Sequence, residues 1–151
     1  MGTTNNNIID LDLSVTRKKR FRIDGDDNRV IELNTSDMTI LNRLDEAEKR
    51  LTELANYANF EISDDEQANA DKVAELLATD KQMREIIDYL FDSEVADICA
   101  PDGSMYDPFN GKYRFEHIME TLFTQYEKNI SEEIKKMRKN VQKHTDKYTK
   151  K

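Results

Sequence analysis

Two rhythms of apolar residues divide the chain near Thr35. Before it, Ile9, Leu11, Leu13 and Val15 alternate with polar neighbours, the period-two spacing that puts apolar side chains on one face of an extended segment. Phe21 and Ile23 continue the alternation, Gly25-Asp26-Asp27-Asn28 supplies turn chemistry, and Val30, Ile31 and Leu33 follow. This predicts an N-terminal β segment over 1–34 with a hairpin across 25–28. Such a small sheet needs a helix or a partner chain against it. After Thr35, the residues Ile40, Leu44, Ala47, Leu51, Leu54 and Ala58 recur at alternating steps of four and three. That is the spacing of a coiled-coil-like seam, and Thr35-Ser36-Asp37 offers a cap, so a helix is expected over about 37–58.

Ser63-Asp64-Asp65-Glu66 has the form of a capping box and announces a second helix. Its stripe is Val73, Leu76, Leu77, Met83, Ile86, Ile87, Leu90 and Phe91, with a pause expected at the polar pair Thr79-Asp80. One or two further turns are expected over Ser93 to Cys99. Both prolines and two of the four glycines fall between Pro101 and Gly111, which reads as a loop. A last helix starts near Lys112 and carries Phe115, Ile118, Met119, Leu122, Phe123 and Tyr126. Its stripe then thins into Ile130, Ile134, Met137, Val141 and Tyr148. The expected fold class is mainly α (α+β): three to four helices with a small N-terminal antiparallel hairpin, in one domain with tails.

Charge sharpens the division. Residues 1–34 hold six basic and six acidic side chains, residues 35–127 hold eight and 22, and residues 128–151 hold nine and three. An acidic helical body therefore carries a basic C-terminal helix or tail, a polarity that favours association, including between copies. The single cysteine, Cys99, has no partner within the chain, which fits a reducing compartment. The asparagine-rich start lacks the basic and apolar regions of a signal peptide, and no run approaches the length of a membrane span. The expected location is the cytoplasm, with no membrane partner.

The chemistry-bearing residues are sparse. Cys99, His117 and His144 are far apart and lack metal-ligand spacing. Asp24, Asp26 and Asn28 sit like the first ligands of a calcium loop, but Arg29 stands where that loop needs glycine and Thr35 where it needs glutamate. No nucleophile elbow, phosphate loop or paired-glycine fingerprint occurs. No catalytic residue, metal or cofactor is expected. Arg17-Lys18-Lys19-Arg20 and the C-terminal lysines raise nucleic-acid binding, yet the acidic body repels phosphate and no reading motif accompanies them. Charged strand edges resist unwanted pairing, which accounts for the first run without a ligand.

The tail past Glu127 has more apolar stripe than a solvated helix needs. Ile130, Ile134, Met137 and Val141, flanked by Lys135, Lys136, Lys139 and Lys143, are therefore the candidate partner-binding residues. The same strip is suited to sealing a homo-oligomer.

The order Leu11-Asp12-Leu13-Ser14-Val15, Lys19-Arg20-Phe21-Arg22-Ile23-Asp24, Glu32-Leu33-Asn34-Thr35-Ser36-Asp37, Ile87-Asp88-Tyr89-Leu90-Phe91-Asp92 and Gly103-Ser104-Met105-Tyr106-Asp107-Pro108 resembles the small tail-assembly proteins of long-tailed (siphovirus) phages and prophages of Gram-positive bacteria. The resemblance spans about 10–148 and its motifs are structural. It implies a tail assembly chaperone that binds the helical tape-measure protein, brings tail-tube protein to it, and is missing from the finished virion. Some such proteins are made in a short and a frameshifted long form. Two alternatives stand beside it: a structural tail or connector subunit retained in the virion, and a small nucleic-acid-binding regulator.

Overall fold

In a computed structural model, residues 7–13, 18–58 and 61–149 are described, the last ten of these by backbone alone. Among them lie four helices, with a two-stranded antiparallel sheet near the N-terminus, as the change of period predicts. Strand β1 (Lys18–Ile23) pairs with β2 (Asp26–Asn34), with Phe21 opposite Ile31. The turn is tighter than expected. Asp24 and Gly25 both take positive φ, 53° and 72°, the signature of a two-residue primed turn. The register then shifts between Arg22 and Ile23, leaving Asp27, Asn28 and Arg29 as an irregularity in β2. This aims the Arg29 guanidinium at the carbonyls of Ile98 and Cys99, 2.9 and 3.0 Å away.

The alternating stretch before β1 is a correction. Residues 8–13 form no strand, and Ile8, Ile9, Leu11 and Leu13 are 67–82% exposed. Val15 lies outside the described residues. Period-two spacing makes a face but supplies no neighbour to pair with.

Helix α1 (Ile40–Ala55) continues as a turn of 3₁₀ helix at Asn56–Ala58. The seam is as read: Ile40, Ala47 and Leu51 are buried, and Leu44, Leu54 and Ala58 pack against the core. The helix begins later than expected because Asp37 builds a turn ahead of it. Its carboxylate accepts from the Thr39 N–H at 2.9 Å and from the Thr39 hydroxyl, and it pairs with Arg43 at 2.9 Å. Arg43 also donates to the Leu90 carbonyl at 2.9 Å, tying the start of α1 to α2.

Helix α2 (Glu66–Phe91) is capped two residues beyond Ser63. Asp65 takes the extended backbone of a cap, and its carboxylate accepts from the N–H groups of Gln67 and Ala68. The expected pause at Thr79-Asp80 is absent. The Thr79 hydroxyl bonds within the helix to the Leu76 carbonyl, and Asp80 finds partners elsewhere. From Thr79 onward the helix is buried on one face, whereas Val73 and Leu77 stand 46% and 54% exposed. The stripe read through both halves is therefore fully buried only in the second, with Leu76 alone of the first half packing against the core.

A single turn, α3 (Ala96–Cys99), is held by Asp88, whose carboxylate accepts from Val95 and Ala96 N–H at 2.9 and 2.8 Å. The glycine- and proline-rich segment is a loop that supplies core residues. Met105 and Tyr106 are 0% and 3% exposed, and the two-residue strands β3 (Pro108–Phe109) and β4 (Lys112–Tyr113) close it. Asp80 anchors this loop from inside α2, accepting from the Met105 N–H at 2.7 Å while Arg84 donates to it at 2.9 Å. Arg84 reaches on to Asp97 at 2.9 Å and to the Ala100 carbonyl at 2.7 Å. Although burial disfavours its charge, these carboxylate contacts raise the guanidinium pKa above its ordinary value.

Helix α4 runs unbroken over Arg114–Thr149. Phe115, Ile118, Leu122 and Tyr126 are its buried face, and the Phe91 ring stands 5.4 Å from Phe123 and 5.9 Å from Tyr126.

Candidate functional site

The core leaves one side of α1 and α4 uncovered. Leu41 on α1 is 58% exposed, one residue round from buried Ile40, because a seam of alternating fours and threes buries only a narrow stripe. Across from it, Met119, Phe123 and Ile130 on α4 are only half-buried. Between them runs a mostly apolar groove of about 590 Å³, lined by Ile40, Leu41, Leu44, Met119, Phe123 and Ile130 among others. A second hollow of about 450 Å³ continues it towards Leu51, Ala55 and Phe115 and shares Glu48, Met119 and Glu120 with the first.

The charged residues lining both hollows, Glu48, Glu116, Glu120 and Glu127, are all acidic. Lys112 reaches Glu120 at 2.6 Å across the exposed surface, which tempers the field without filling the groove. Tyr126 forms part of the floor. Burial, aided by the negative charge of Asp37, pushes its phenol up to about 12, so it stays neutral there.

The sequence-nominated residues join this groove at one end. Ile130 lines it, and Asn129 beside it accepts from the Lys19 ammonium at 2.7 Å and donates to the Ser36 hydroxyl at 3.0 Å. The helix therefore remains attached to the body beyond residue 127, where the basic segment begins. One turn on, Ile134 is half-buried, and Met137 is 63% exposed. Lys135, Lys136 and Lys139 are exposed, with Lys136 3.4 Å from Glu133. Val141 and Lys143 lie outside the residues whose side chains are described. Sequence reasoning weighed the Phe115 to Tyr126 stripe, Met119 and Phe123 included, as core ahead of a partner groove, and passed over Leu41. The one available signal was Leu41, which falls off the seam beside Ile40.

Other chemistry is thin. Among the described residues, no group of three or more His, Cys, Asp or Glu is placed to hold a metal ion. In the aspartate-rich turn, Asp26 accepts from the Asn28 N–H at 2.9 Å and Asp24 pairs with Arg29 at 3.2 Å. Burial pushes the Cys99 thiol up to about 11, which keeps it protonated at neutral pH, a poor nucleophile and a poor ligand. No helix among the described residues is long and apolar enough to cross a membrane.

Compared with protein-family models, curated proteins and solved structures, the chain matches none.

Proposed function

We propose that this is a non-catalytic binding protein whose ligand is an amphipathic helix of another protein, laid between α1 and α4. The observation that carries this reading is the groove itself: an open apolar floor with acidic walls, continuous at Ile130 with the stripe of the α4 tail. A helix offers such a groove apolar residues at three- and four-residue spacing, and basic residues beside them meet the glutamates.

Within that class, the proposed role is a phage tail assembly chaperone. It holds tape-measure helices soluble in the cytoplasm of the bacterial host, delivers them to tail-tube subunits, and leaves before the virion is complete. Support for the class comes from the groove and the tail, and for the role from the resemblance in the ordered motifs.

The test is co-expression with a helical tape-measure segment, followed by affinity measurement with the Leu41→Glu variant. Leu41 is largely exposed, so the variant keeps its fold while placing a charge on the groove wall. Losing one buried leucine is worth about 1.5–3 kcal/mol, or roughly ten- to a hundredfold in affinity. Unchanged affinity would remove the groove from the interface, and no binding of any segment would remove the proposed partner.

A further inference from the structure

We propose that the second half of α4 of one copy lies in the groove between α1 and α4 of a second copy, and the reverse. This rests on the groove being a receptor for helices, as proposed above, and names what covers it when no other protein does. Helix α4 has 36 residues, so its midpoint falls between Ser131 and Glu132. The half before it builds one side of the two hollows, from Phe115 to Ile130, and the half after it is tail. At about 1.5 Å per residue each half is about 27 Å long, so tail and groove are matched in length. The stripe is shared as well. Met119, Phe123 and Ile130 line the groove, and Ile134 and Met137 follow at helical spacing, the latter 63% exposed.

Because α4 is unbroken, the tail runs away from the groove of its own chain, and only another chain's tail reaches it. Charge then chooses the direction. Glu48, Glu116 and Glu127 wall the groove and form no ion pair among the described residues, and the exposed Lys135 and Lys139 form none either. A parallel pairing sets lysines against lysines. An antiparallel pairing about the midpoint sets position 127 level with 136, within a turn of Lys135 and Lys139, and position 116 level with Lys147. Both tails then lie in grooves at once, which closes the assembly as a two-fold dimer.

Charge reversal tests this with two full-length variants. One carries Lys135→Glu with Lys139→Glu, the other Glu48→Lys with Glu127→Lys. All four residues are exposed, so circular dichroism should report the native helical fold in both. Sedimentation over a concentration series is expected to show the native chain passing reversibly from monomer to dimer. A chain ending after Ser131 stays monomeric throughout, as does each reversal variant alone. An equimolar mixture of the two variants dimerises, because each tail then meets a groove of opposite sign. A native chain that stays monomeric, a dimer that survives the truncation, or a folded mixture that stays monomeric overturns the proposal. Each result is read with no helical partner present, so the groove's affinity for a helix of another protein stands or falls separately, in the Leu41→Glu experiment.

Discussion

Removing the Asp80 carboxylate leaves the buried Met105 N–H without an acceptor and Arg84 without its buried counter-charge. An unsatisfied buried donor beside a largely buried cation costs about 3 kcal/mol, which is the expected loss for Asp80→Ala, read from chemical denaturation. Asp97 contacts the same guanidinium but its side chain is 73% exposed, so Asp97→Ala should cost under about 1 kcal/mol. Asp37 gives a pH-dependent counterpart. Burial opposes its ionisation, yet hydrogen bonds from Thr39 and Arg43 outweigh that and lower its pKa below 3.8. A carboxylate depressed on folding stabilises the protein above its unfolded pKa and loses that contribution as pH falls through the folded value. Asp37→Asn should therefore melt below the native chain at neutral pH, with the gap closing only below about pH 4. Neither role was legible in the sequence. Asp37 read as a helix cap and Thr79-Asp80 as an interruption, because the buried Met105 N–H that Asp80 accepts from lies in a loop more than twenty residues away.

At the level of elements, α4 is core in its first half and the proposed partner-binding tail in its second, and truncation separates the two. Ending the chain after Ser131 retains Asn129 and Ile130, so the body should unfold within a degree or two of the native temperature while losing helical signal and partner affinity. Ending it after Glu127 also removes the Asn129 bonds to Lys19 and Ser36 and the packing of Ile130. Thermal melts should show that shorter chain destabilised by about 1–2 kcal/mol. The hairpin and α1 were readable because their signals are local: a turn between alternating runs, and a seam repeated over five steps. The strand expected over Ile9 to Leu13 is absent from the described residues, since pairing requires an edge and alternation does not say where one is. The groove was likewise unreadable, because its walls come from α1 and α4, over seventy residues apart.

Over the whole molecule, the charge asymmetry seen in the sequence takes on a geometry. The acids flank the groove beside the first half of α4, and the lysines follow on the second half of the same continuous rod. What the sequence held as two counts the fold arranges head to tail along one axis. On the proposed function, a partner helix spanning both halves would be matched only with its basic end over the groove and its acidic end over the tail, and so would be received in one orientation and rejected in the reverse. Successive copies seated along one long filament would then all point the same way, like arrows on a ruler. Such a coat would have a distinguishable front and back, and whatever displaces it would meet a different face depending on the end from which it arrives.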